Sequence, residues 1–167
     1  IASCISHGMH DFVMDVMIKH FDRLKVYAYE YGGYVGNVDS VSAFYRENMR
    51  LLDPKLCAEL FSPNHPVYTK IKDQIPTFYG EHSNVRNVLS GDGCVLNGTV
   101  ENCIVFRGVT VEEGAHVRDS IIMQNSRIES GAELDCVILD KNVTIRSGKR
   151  LVGQKSYPVV IGKNTVI

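Results

Sequence analysis

Val105-Phe106-Arg107-Gly108-Val109-Thr110-Val111-Glu112-Glu113-Gly114-Ala115-His116-Val117-Arg118-Asp119-Ser120-Ile121-Ile122 decides the fold, because after seventeen residues the chain returns to an aliphatic where it began. Three columns at that spacing are aliphatic or nearly so: Val88, Val105, Ile122, Leu139; Cys94, Val111, Ile128, Ile145; and Val100, Val117, Leu134, Leu151. Each turn of chain is therefore expected to point three side chains inward. Two more columns hold only Gly or Asn, the residues that tolerate positive φ: Gly91, Gly108, Asn125, Asn142, and Asn97, Gly114, Gly131, Gly148. Apolar positions six, six and five residues apart, with a corner after each short strand, predict a triangular parallel β-helix of hexapeptide-type coils over 83–167. Ile104, Phe106, Ile121 and Met123 then point outward. They form an apolar stripe that marks an interface unless something covers it. The open strand edges at the ends of the prism call for a neighbouring domain or subunit.

Upstream of the repeat the periodicity changes. Phe12, Val13, Val16, Met17 and His20 have helical spacing, and Lys25 to Glu30 alternates as a strand does. Gly32-Gly33 turns the chain into a second extended stretch, Tyr34 to Val38, to give a hairpin. Asp39 or Ser40 caps a helix running to Leu52, which Asp53-Pro54 ends. Prolines 54, 63, 66 and 76 punctuate an extended linker with one helical turn near Leu56 to Phe61. The expected organisation is thus an α/β edge (helix, hairpin, helix) over 1–53, a linker over 54–82 and the β-helix. Helix, hairpin and helix enclose little core, so residues 1–53 read as the margin of a larger domain. Without an initiator Met, Ile1 is expected to lie inside a longer polypeptide.

Composition narrows the function. The net charge is −1, with 18 Lys and Arg scattered along 167 residues, which gives no footprint for nucleic acid or an anionic membrane. No apolar run approaches the ~18 residues of a membrane span. Ile1-Ala2-Ser3-Cys4 has the form of a lipoprotein box but lacks the charged and apolar regions before it. The five cysteines form no Cys-x-x-Cys pair and read as reduced structural thiols in a cytoplasmic protein.

Residues able to carry chemistry are few. His7 and His10 share a helical face if a helix covers them, but no third metal ligand is near in sequence, and no metal site is assigned. Gly91-Asp92-Gly93 and Gly32-Gly33 lack the Lys and Ser/Thr of a phosphate loop. His116 matters only if the chain is an acyltransferase with a histidine base, and a solvated place beside Arg118 is the plainer reading. Lys141, Arg146, Lys149, Arg150 and Lys163, with Lys155, form a basic set able to hold an anionic effector.

Gly33-Tyr34-Val35-Gly36-Asn37-Val38-Asp39-Ser40, followed by Tyr45 and Asn48-Met49-Arg50-Leu51-Leu52, resembles the motif that closes the catalytic domain of ADP-glucose pyrophosphorylases (glucose-1-phosphate adenylyltransferases). The likeness runs on through Pro66-Val67-Tyr68-Thr69, Asp92-Gly93-Cys94, Val100-Glu101-Asn102 and Ile138-Leu139-Asp140-Lys141-Asn142. It is strongest to the GlgD-type branch of bacterial glycogen synthesis, through His10-Asp11-Phe12-Val13 and Tyr157-Pro158-Val159-Val160-Ile161-Gly162-Lys163-Asn164. The resemblance implies that the coil is left-handed. It also places Tyr34 and Asn37 at the sugar-phosphate position. Catalytic members read Gly-Tyr-Trp-x-Asp-Val-Gly-Thr there, so Val35 replaces a Trp and Asn37 an Asp, and the position is degenerate.

The resemblance implies the C-terminal region of a regulatory, non-catalytic subunit, serving assembly and allosteric control. No catalytic residue is assigned within the chain. No cofactor is expected in it either, Mg²⁺ with ATP belonging to a catalytic partner subunit. Expected partners are that subunit, further copies of the chain, and a sugar phosphate or effector. The alternatives are an active adenylyltransferase chain, distinguished by upstream carboxylates, and a free-standing hexapeptide acyltransferase, which the α/β edge argues against.

Overall fold

A computed structural model of the protein describes residues 6–69 and 72–167; the Ile1–Cys4 box lies outside them. The chain divides into two compact units, one ending at Gly33 and the other beginning at Tyr34.

In the first unit the expected helix is a π-helical segment, Phe12–Ile18, capped by Asp11, whose carboxylate accepts from the Met14 amide at 2.7 Å. A 3₁₀ turn follows at Phe21–Arg23. Neither segment buries a residue. The expected hairpin does not form, since neither 25–30 nor 34–38 is a strand. A two-stranded ribbon is marginal without a third strand or a packed face. Tyr27, Tyr29 and Val35 face solvent and supply no such face.

The second unit begins with two helices. Ser40 caps Val41–Arg50 (α1), its hydroxyl accepting from the Ala43 amide at 3.2 Å. Asp53 caps Pro54–Leu60 (α2), with Pro54 in the first turn, so a short helix stands where a single turn was expected.

The remainder is a prism with three faces of parallel strands. The first stacks Phe78–Tyr79, Val95–Leu96, Thr110–Val111, Arg127–Ile128 and Thr144–Ile145. Two longer strands, Asn84–Ser90 and Thr99–Val105, bend across an edge and serve both other faces. The second face continues with His116–Arg118, Glu133–Asp135 and Arg150–Val152. The third continues with Ile121–Ile122, Val137–Leu139 and Val159–Ile161.

Full coils send in six side chains rather than the three expected. Val109, Val111, Ala115, Val117, Ser120 and Ile122 are all buried, and so are Ser126, Ile128, Ala132, Leu134, Val137 and Leu139 in the next coil. Strand alternation explains the doubling: residues i and i+2 of a face both point inward around an outward middle residue. The sequence columns caught the larger member of each pair, because the smaller includes Ala and Ser.

The seventeen-residue spacing holds from Thr99 to Val152 but slips at either end. In the first coil Val95 lies against Thr110 and Asn84 against Thr99, an offset of fifteen. Two residues are absent at the Asn97–Gly98 corner. The aliphatic opposite Val111 is therefore Leu96 and not Cys94, and Val88 lies opposite Cys103 and not Val105. Gly91 and Asn97 lack the positive φ expected of them, and the left-handed corner is Gly93, at φ 73°. At the other end Val137 pairs with Val159, an offset of twenty-two, because a five-residue insertion loops out before Val159. The remaining assigned corners, Gly108, Asn125, Asn142, Gly114, Gly131 and Gly148, all have φ between 58° and 76°. A third corner column escaped the sequence reading: Asn87, Asn102, Asp119 and Cys136, at φ 45–54°.

The outward stripe is covered from within the chain. Tyr45 of α1 joins Ile104, Ile121 and Ile138 in a second buried cluster flanked by Phe44, Met49, Leu52, Phe106 and Met123. The expected interface along Ile104 and Ile121 is thus the seat of α1.

Candidate functional site

The turn that leads into α1 carries Tyr34 and Asn37, and Tyr34 is fixed there in three ways. Its amide donates to Glu59 Oε1 of α2 at 2.7 Å, and its hydroxyl donates to Glu47 Oε2 of α1 at 2.9 Å. The Arg50 guanidinium lies 4.9 Å from its ring centre, a cation–π contact. Glu47 is buried and also accepts from Arg46 Nε at 3.0 Å and an Arg50 nitrogen at 2.9 Å. Gly36 passes so close that an added Cβ would lie 2.5 Å from the Tyr34 hydroxyl. The chain curls over this ring, and a side chain at Gly36 would have to displace the Tyr34 hydroxyl from Glu47.

Hydrogen bonding from Tyr34 and Arg46, with Arg50 beside it, holds the Glu47 carboxyl below the usual carboxylate range. The same bond to Glu47 raises the Tyr34 phenol. Glu47's folded pKa lies below its unfolded one. Its contribution is therefore present above the ordinary Glu value and lost as pH falls through the lowered one. Acid titration followed by NMR of the Tyr34 ring is expected to show the clamp opening below that ordinary value, and Glu47→Gln should remove the transition. A clamp transition that persists in the Gln variant would assign it to another group.

Asn37 is exposed, and its amide nitrogen donates to Asp39 Oδ2 at 3.0 Å. Mg²⁺ takes hard carboxylate and phosphate oxygens. The carboxylate beside Asn37 is engaged by an amide, so this strip does not fit a metal ion. Among the described residues one other grouping offers three potential ligands, Asp119, Asp135 and Cys136. Lys155 Nζ lies 3.3 Å from Asp119, and Arg118 pairs with Asp135. The cluster is an ion-pair knot with its charges already balanced.

The basic set falls on separate parts of the prism. Lys141 and Lys163 stack on one edge, where the Asn164 amide donates to the Lys141 carbonyl at 2.9 Å. Arg146 and Lys149 meet at another corner, through the Lys149 amide and the Arg146 carbonyl. Arg150 lies on the second face and pairs with Glu133 at 3.0 Å. His116 sits on that face between Thr99 and Glu133 in register, exposed on a small surface pocket that it lines with Arg118, Glu133, Asp135 and Arg150. His7 and His10 precede the π-helical segment and share no helical face. Cys57, Cys94, Cys103 and Cys136 are free thiols, and burial pushes Cys103 up to about 12, which leaves it unreactive.

The family model for the GlmU-like C-terminal hexapeptide domain matches residues 76–156, the stacked coils. The glycogen biosynthesis protein GlgD of Geobacillus stearothermophilus is 44% identical over 166 residues, 99% of this chain. That alignment runs through the Tyr34 turn, both helices and the prism. The chain belongs to the glucose-1-phosphate adenylyltransferase family. Within this family, GlgD of Bacillus subtilis is 43% identical over 106 residues, covering 64% of the chain. The glucose-1-phosphate adenylyltransferase of Fervidobacterium nodosum is 35% identical over 114 residues, 68% of the chain. The aligned parts are 48%, 31% and 28% of those relatives, so the chain spans about half of their length or less. No described helix is long and apolar enough to cross a membrane.

Proposed function

We propose that this chain is the C-terminal region of a GlgD-type regulatory subunit of a glucose-1-phosphate adenylyltransferase. In this reading the whole protein acts in the cytoplasm in glycogen biosynthesis and supports a catalytic partner that makes ADP-glucose from ATP and glucose 1-phosphate. The observation that carries it is Asn37. A neutral amide, hydrogen-bonded to Asp39, stands where active relatives carry a carboxylate. Nucleotidyl transfer depends on positioning and on charge neutralisation around Mg²⁺, which here belongs to the partner's site. Losing one preorganised electrostatic contact at a transition state typically costs ~10²–10³ in rate. The Tyr34 clamp supports the same reading, since it fixes the strip rather than leaving its hydroxyl for a sugar phosphate. A small anionic effector would find paired cations at Lys141 and Lys163, or at Arg146 and Lys149.

The test is steady-state ADP-glucose formation by the purified full-length protein, alone and with its catalytic partner. Turnover by the lone protein is expected to fall roughly two to three orders of magnitude below that of the mixture. Robust turnover by the lone protein, unaltered by the partner, would refute the assignment.

A further inference from the structure

Helix α1 has two working faces and something different pinned to each. Tyr45 and Met49 of the helix and Leu52 just past its end, at i, i+4 and i+7, lie in the cluster on the third face of the prism. Ala43, Glu47 and Arg50, at the same spacing, lie on the other side of the helix, where Glu47 and Arg50 grip Tyr34. The prism side ends in a directional bond. The buried Tyr45 hydroxyl donates to the Asp119 carbonyl at 2.6 Å, at a corner held at φ 45°. That corner is tied outward as well, since the Asp119 carboxylate meets Lys155 of the inserted loop and the Asp119 amide donates to Glu101 at 3.0 Å. An unbroken series of bonds thus runs from the inserted loop through Asp119 and Tyr45 into the helix. It leaves through Glu47 to Tyr34 and the strip that carries Asn37.

We propose that α1 is a strut coupling the Asp119 corner of the prism to the Tyr34–Asp39 strip, with Tyr45 and Glu47 as its two positioning residues. A helix of ten residues is about 15 Å long and stiff over that length, so a shift at one anchor is passed to the other rather than absorbed. A packed cover for the isoleucine stripe would need only apolar side chains. It would not need a hydroxyl aimed at a corner carbonyl, or a buried carboxylate aimed at a tyrosine. Coupling of this kind is reciprocal: loosening either end must loosen the other. The proposal rests on the regulatory reading only for the use to which the coupling is put.

Amide hydrogen exchange of the full-length protein in complex with its catalytic partner tests it. The Tyr34 amide, held by Glu59, reports on the strip. The Asp119 and Cys136 amides, held by Glu101 and Arg118, report on the corner. Tyr45→Phe keeps the buried ring and removes the corner bond, and exchange at Tyr34 is expected to quicken roughly five-fold, the scale of one net hydrogen bond. Tyr34→Phe should in turn quicken exchange at Asp119 and Cys136 by a similar factor. Changes confined to the mutated side in both variants would show that α1 is only a cover. If Tyr45→Phe does not fold, the Tyr34→Phe arm decides alone, because that residue lies on the outer side of the helix. Reciprocal exchange in a protein that turns over fully without its partner would keep the strut and overturn the regulatory reading, so the two fail separately.

Discussion

Ile121→Ala is expected to destabilise the chain by about 3–4 kcal/mol, as much as the same change at its inward neighbour Ile122. On a bare β-helix the two would differ sharply, since Ile121 points away from the prism axis and an exposed strand position seldom costs more than ~0.5 kcal/mol. Here both side chains are fully buried, Ile122 in the prism and Ile121 beneath Tyr45 between Ile104 and Ile138. Shortening Ile121 opens a cavity between helix and sheet, and neither wall can collapse freely, because Tyr45 is fixed to Asp119. Urea unfolding midpoints of the two variants check this. A loss at Ile121 below about 1 kcal/mol, with a full loss at Ile122, would mean that α1 does not rest on the prism in solution.

Gly98→Ala is expected to cost about 3 kcal/mol, more than the same change at the left-handed corners Gly114 and Gly131. The three glycines are constrained for different reasons. Gly114 and Gly131 sit at φ 76° and 72° with ordinary space around an added Cβ, so alanine there meets conformational strain of about 1–2 kcal/mol. Valine should cost still more, because β-branched residues tolerate that region poorly. Gly98 has no positive φ, but its added Cβ would lie 2.5 Å from the Ala115 carbonyl oxygen and 2.7 Å from that of Glu112. Both are backbone atoms of the next coil and cannot swing aside. Thermal or denaturant unfolding of the three alanine variants should therefore rank Gly98 as the most damaging. If Gly98→Ala proved neutral, the shortened corner that sets the fifteen-residue offset would be misplaced.

The clamp around Tyr34 lay only half within reach of the sequence. The strip Gly33–Ser40 stood out as a motif, and Asn37, an amide where the resemblance implies a carboxylate, is plain in one letter. That Glu47 is the residue which holds Tyr34 was not visible. A Glu on a helix surface ordinarily reads as solvated, and only the fold brings residues thirteen apart to 2.9 Å. The basic set shows the converse. Lys141, Arg146 and Arg150 lie within ten residues of sequence, yet a coil turns through all three faces in seventeen, so they are spread around the prism, while Lys163 is brought back to the edge of Lys141.

The sequence by itself determined the repeat, the inward direction of its large aliphatics, the Gly and Asn corners of the full coils, the N-terminal cap of α1 and the family resemblance. These are local or strictly periodic properties, which every coil states again in the same terms. Tertiary structure alone decided the rest: the two-residue contraction at Asn97–Gly98, the five-residue insertion before Val159, the third corner through Asn102, Asp119 and Cys136, and the seating of α1 on Ile104, Ile121 and Ile138. Each depends on which residues of one coil lie against the next, or against a helix some seventy positions away in the chain. Hydrogen-bond register and burial select that pairing among many that the same letters allow.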